Sequence, residues 1–166
     1  MTELRKLGAP GFLAPARFFV TAAVLALALL IPRAAPAQQI SELAAEKMVW
    51  STLLAVDHAN RTNNYTVLWS LGSPGFKEQN SPEQLSQIFS DLRAQRVDLS
   101  QSLTVEPAFY LPPQVEDNGL LRLRGAFEFR PVSIRFDLYY QMVEGGWRLH
   151  GISVSPARMN ADSQGG

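Results

Sequence analysis

The chain of 166 residues contains no cysteine. That excludes disulfides, thiolate metal sites, a cysteine nucleophile and lipid attachment at a cysteine, and leaves stability to the apolar core alone. Histidine is almost as scarce. His58 and His150 lie 92 positions apart, so nothing has the close pairing that marks a histidine metal site. There is no G-x-S-x-G elbow and no glycine-rich phosphate loop. No internal repeat and no second domain can be read. Charge of neither sign dominates, with 15 basic and 15 acidic side chains. At 46% hydrophobic and 18% charged, the chain has too much apolar and too little charged content for a disordered protein.

The N-terminus differs from the rest. Arg5, Lys6 and Arg17 precede an uncharged stretch, Phe18 to Ile31, which Pro32 ends. Ala35-Pro36-Ala37 then offers small residues where a signal peptidase reads. This order predicts a signal peptide over residues 1–37 and export to the periplasm or the outside of the cell. The competing expectation is an uncleaved inner-membrane anchor. The stretch has fourteen residues, and a helical span needs roughly 20. Phe12 and Leu13 could lengthen it, and contact with a membrane is expected only through such a leader. Cleavage would remove Arg5, Lys6, Arg17, Arg33 and Glu3, leaving 11 basic and 14 acidic side chains, a net charge of −3. That balance argues against a nucleic-acid partner.

Helical signals come first in the mature part, expected as one domain over 38–156 with a flexible tail over 157–166. Ser41 is an N-cap, and Leu43, Trp50, Leu53, Leu54 and Val56 recur at helical spacing, predicting a helix over about 41–59. A short helical turn is expected from Tyr65 to Leu71, stopped by Gly72-Ser73-Pro74-Gly75, with Phe76 alone in the following loop. Ser81-Pro82-Glu83-Gln84 reads as a capping box opening a helix over about 82–96, its apolar stripe formed by Leu85, Ile88, Phe89 and Leu92.

After residue 100 the period changes to two. Strands are expected over 103–111, 121–129, 134–142 and 147–155. Turns are expected at Asp117-Asn118-Gly119, at Arg130-Pro131-Val132-Ser133 and, as a type I′ hairpin, at Gly145-Gly146. Alternation slips after His150, and Gly151 is the place for a β-bulge. Helices followed by antiparallel strands make an α+β fold, with N-terminal helices packed on a curved sheet of about four strands.

Val56-Asp57, Tyr65, Leu68, Trp69, Ser73-Pro74, Phe76-Lys77 and Ser81 resemble small exported bacterial members of the nuclear transport factor two-like superfamily, also called the cystatin-like cone or ketosteroid-isomerase-like fold. The capped helix ending near Arg93 and Arg96, and Gly146-Trp147-Arg148-Leu149 followed by Ile152, extend the resemblance over about residues 41–155. It implies a conical half-barrel, often with an apolar pocket, and frequent homodimers through the sheet. It implies no particular reaction, because one fold hosts many functions.

Candidate residues fall into two sets. Tyr65, Trp69, Phe76, Phe127, Phe136, Tyr140 and Trp147 are candidates for lining an apolar ligand pocket, alongside their plain role as core. Arg122, Arg124, Arg135, Tyr139, Arg148 and His150 are candidates for a partner-docking surface on the outer sheet face, alongside ordinary cross-strand pairing. No catalytic residue, metal or cofactor is assigned. Asp57 and His58 could form a base and its partner, but adjacent helical residues point about 100° apart. Asp137 is out of phase with Phe136 and Leu138 and points away from the cone, against isomerase chemistry. The expected role is a non-enzymatic exported domain binding a small apolar ligand or a protein, as a homodimer. A membrane-tethered assembly subunit and an isomerase- or dehydratase-like enzyme are the alternatives.

Overall fold

In a computed structural model of the protein, residues 40–158 are described. The expected leader and residues 159–166 lie outside the described residues. Helix α1 spans Glu42–Thr62, and the Ser41 side chain caps it by accepting from the Ala44 amide. It ends at Asn63, whose left-handed φ of 52° suits asparagine. Among the described residues no helix is long and apolar enough to cross a membrane.

Four short helices follow: α2 (Thr66–Ser70), α3 (Pro74–Gln79), α4 (Pro82–Ile88) and α5 (Ser90–Ala94). Phe76 was expected in a loop, but it is buried within α3. Ser73 does more than stop α2; it is the N-cap of α3 and accepts from the Phe76 amide. The capping box at Ser81 forms both of its hydrogen bonds with Gln84. The helix expected over 82–96 is broken at Phe89, which leaves helical geometry at φ −93°, ψ 12°. The break turns the Phe89 ring inward to stack on Tyr65, at a centroid distance of 6.1 Å, and leaves Ile88 57% exposed instead of in the apolar stripe. Helix α5 ends with the Val97 amide bonded to the Leu92 carbonyl and the Arg96 amide to the Arg93 carbonyl. This Schellman arrangement places Arg96 at left-handed φ 52°, where glycine is usual.

The strand expected over 103–111 is mostly not a strand. Leu99–Thr104 is a 3₁₀ helix, tied to α1 by the Trp50 indole donating to the Ser102 carbonyl at 2.9 Å. Only β1 (Ala108–Phe109) and β2 (Gln114–Val115) pair with the sheet, both along one edge of β3 (Leu120–Phe127). Pro112 and Pro113 lie between them and have no amide hydrogen to donate to a ladder. Strand β4 (Val132–Val143) and strand β5 (Gly146–Arg158) complete an antiparallel meander, giving five strands. The hairpin turn lies one residue earlier than expected: the positive φ values belong to Glu144 and Gly145, and Gly146 opens β5. Strand β5 outruns its expected end, pairing Ala157 with Ser133 and Arg158 with Val132. The expected bulge is present, but one residue before Gly151, where it was expected. Tyr139 pairs with Gly151 and Tyr140 with Leu149, so His150 is the extra residue.

The sheet is curved and open, with one side filled. Ala45, Val49, Leu53 and Val56 of α1 recur every three or four residues and are fully buried in one core cluster with Leu121, Leu123, Phe127, Phe136 and Leu138. Each such Leu or Phe contributes about 2 kcal/mol through burial. The free edge of β5 is covered where it bulges. Leu71–Ser73 lies parallel to it, with the Leu149 amide donating to the Leu71 carbonyl (3.1 Å) and the Ser73 amide to the Leu149 carbonyl (2.7 Å).

Candidate functional site

The aromatic set divides in two. Tyr65, Phe76, Phe127, Phe136 and Tyr140 are all at most 4% exposed and belong to the packed core. Phe136 meets Phe127 at 5.7 Å and Phe109 edge-on at 6.0 Å. Trp69 is half-buried and fully engaged: its indole donates to the Asn80 carbonyl at 2.8 Å, and Lys77 sits over its ring. Of four clefts formed by described residues, none is lined by Tyr65, Trp69, Phe76, Phe127 or Phe136. Tyr140 and Trp147 meet at one of the four. This cleft, of about 210 Å³, also has Met48, Thr52, Leu71 and Leu149 in its wall. Its polar floor is a short chain of hydroxyls. The Tyr140 hydroxyl donates to the Met48 carbonyl (3.1 Å) and accepts from Thr52 (2.7 Å). Burial pushes the Tyr140 phenol well above its ordinary range.

The outer side of the sheet is built differently. Arg122 is clamped by Asp137 through two hydrogen bonds, 2.9 Å from Nε and 2.6 Å from Nη2, and reaches Glu116 at 3.5 Å. Hydrogen bonding to Asp137 holds its guanidinium charged. It also lies 5.0 Å over the Tyr139 ring. That ring covers Gly151 on the neighbouring strand, where a Cβ would already be in close contact with it. Burial, then the charge of Asp137, pushes the Tyr139 phenol upward. Arg124 approaches Asp137 at 3.7 Å but stays half exposed. Arg135 and Arg148 are exposed, opposite Ser155 and Gln141 respectively, and among the described residues neither has a carboxylate partner. Asp137 points outward, as its phase required, and serves as the counter-charge of this face.

His150 leaves that face. As the extra residue of the bulge it turns to the covering segment, where Nδ1 lies 2.9 Å from the Ser73 hydroxyl and the ring rests on Gly75. Ser73 is fully buried, so the pair fastens β5 to the start of α3. Asp57 and His58 diverge: Asp57 is buried and paired with Arg61 at 2.7 Å, whereas His58 is exposed.

One polar cluster was not singled out from sequence. At the C-terminal end of α1, Asp57, Asn60 and Arg61 meet Leu92, Arg93 and Arg96 around a cleft of about 230 Å³ that Val97 and Asp98 complete. The spacing of Asp57, Asn60 and Arg61 on one helix face was the available clue.

Helices packed on one side of a curved, open antiparallel sheet, with the other side charged and uncovered by any described element, define the protein as an α+β sheet-and-helix domain. Comparison with known proteins returns no matching family model, no matching curated protein and no matching solved structure.

Proposed function

We propose that this chain is an exported, non-catalytic interaction domain that docks an acidic protein partner on the outer face of β3, β4 and β5. The observation that carries the reading is the contrast between the two sides of the sheet. The inner side is packed with aromatic and aliphatic side chains. The outer side has Arg124, Arg135 and Arg148 exposed around a Tyr139–Arg122–Asp137 stack that is already ordered before any partner arrives. Ordered aromatic and arginine side chains are what protein interfaces select, because little side-chain entropy is lost on docking. The excess of arginine over the two local carboxylates favours an acidic partner.

A homodimer through the same face is the second reading, and the resemblance to cone-fold proteins supports it. Its geometry is demanding. A two-fold axis would set arginines against arginines unless Asp137 and Glu116 of each copy meet them.

The test is a photo-crosslinking residue placed at Arg135, with Val67 on the helical side as control, in protein expressed in its native host. The reading expects an adduct from position 135 only, lost when Arg124 and Arg148 are both changed to glutamate while thermal stability is kept. An adduct of twice the protomer mass identifies the homodimer. Absence of any adduct specific to position 135, or one that survives the charge reversal, overturns the docking surface.

A further inference from the structure

The cleft between the end of α1 and the end of α5 is lined by three arginines, with unequal provision for their charges. Arg61 is fully matched: its Nε is 2.7 Å from Asp57 and its Nη2 is 3.0 Å from Asp98. Arg93 is half-buried and has no carboxylate among the described residues. Its Nη1 donates to the Tyr65 hydroxyl and, at 2.7 Å, to the Ser86 carbonyl. Those neutral acceptors fix the guanidinium in place without cancelling its charge. Tyr65 in turn donates to Asn60 Oδ1 at 2.5 Å, which sets the Asn60 amide. The Asn60 Nδ2 is buried and meets no acceptor among the described residues. A buried donor left without an acceptor is uncommon in folded proteins and calls for an explanation.

Arg96 completes the set. It occupies the left-handed position that ends α5, where glycine is the ordinary choice and a side chain is strained. A strained non-glycine residue bordering a cleft marks its side chain as a candidate for function. Asp57 and Asp98 are both turned to Arg61, and the three arginines against these two carboxylates leave the cleft one net positive charge, carried on the Arg93 and Arg96 side, which favours an anion.

We propose that this cleft binds a small oxyanion, a carboxylate or a phosphate, held between the guanidinium groups of Arg93 and Arg96 beside Asn60. A volume of about 230 Å³ suits a small ligand, and a planar guanidinium fixed by its own second contacts matches a two-oxygen group. The site is independent of the outer sheet face and of any partner docked there.

The experiment is thermal unfolding of the full chain, titrated separately with sodium acetate and sodium phosphate at ionic strength held constant with sodium chloride. A saturable rise in melting temperature with either salt supports the site, and which salt acts tells carboxylate from phosphate. Arg96→Gly is the decisive variant. It relieves the left-handed strain, so the expected result is a melting temperature equal to or above the parent together with at least about tenfold weaker anion binding. Arg93→Gln is expected to abolish the response. Arg124→Ala, on the far side of the sheet, is expected to leave it unchanged. No saturable response to either salt, or a response that Arg96→Gly leaves intact or that Arg124→Ala removes equally, overturns the proposal.

Discussion

The hydroxyls of Thr52 and Tyr140 lie 2.7 Å apart, joining the middle of α1 to β4 across 88 positions of sequence. Both side chains are buried, at 4% exposure. The Tyr140 proton goes to the Met48 carbonyl, so Thr52 is the donor to Tyr140.

Tyr140→Phe and Thr52→Val are each expected to cost about 1–2 kcal/mol near neutral pH, and the double variant less than their sum. Alkaline pH supplies the second readout. The folded-state pKa of Tyr140 is raised by burial, so its contribution is complete below the ordinary phenol pKa of about 10 and declines as pH rises past it. Denaturant titrations at pH 7 and pH 10.5 should show the parent losing more stability than Tyr140→Phe. An equal loss in both proteins would remove the assigned role of the phenol.

Gly125 lies where strands β1 and β3 come closest. A Cβ there would collide with the Ala108 carbonyl oxygen and crowd the Phe136 ring. Gly146, by contrast, has only the Val143 carbonyl nearby, at an ordinary 3.8 Å. Gly125→Ala is expected to cost about 2–3 kcal/mol by overpacking, with Gly146→Ala close to neutral. Urea unfolding of the two variants checks this, and similar midpoints would contradict the close approach of β1.

Ser73 accepts from the Phe76 amide and bonds the His150 ring. Ser73→Ala therefore removes a helix cap and a tie to β5 together, at an expected cost of about 1–2 kcal/mol. His150→Ala leaves the cap in place and should cost less. If His150→Ala proves the more damaging in thermal melts, the ring has a role beyond fastening the bulge.

The elements that local chemistry specifies were legible in the sequence. Ser41 and Ser81 marked helix starts because a side-chain cap is read over a few residues. The alternation of Ile134, Phe136, Leu138 and Tyr140 fixed the buried face of β4, and the slip after His150 located the bulge. What was missed depends on contacts distant in sequence. Leu103 to Leu111 alternates well enough for a strand, but Trp50 claims the Ser102 carbonyl and the first half coils against α1. Phe89 breaks its helix to stack on Tyr65, a partner 24 positions earlier that no local pattern reveals. Composition gives the aromatic residues but not whether they enclose a hollow, and here five of the seven pocket candidates fill the core. The outer arginines followed from phase alone. His150 did not, because the residue a bulge inserts belongs to neither face.

The parallel bridge between Gly72 and Leu149 carries a consequence for biogenesis. The N-terminal helical part cannot reach its final arrangement until the last strand has been synthesised, since Leu71–Ser73 and the cap of α3 both wait for residues around Leu149. A nascent chain stopped before Trp147 would hold its helices without their fastening and leave the inner sheet face open to proteases. Closure of the fold at this edge thereby waits for β5.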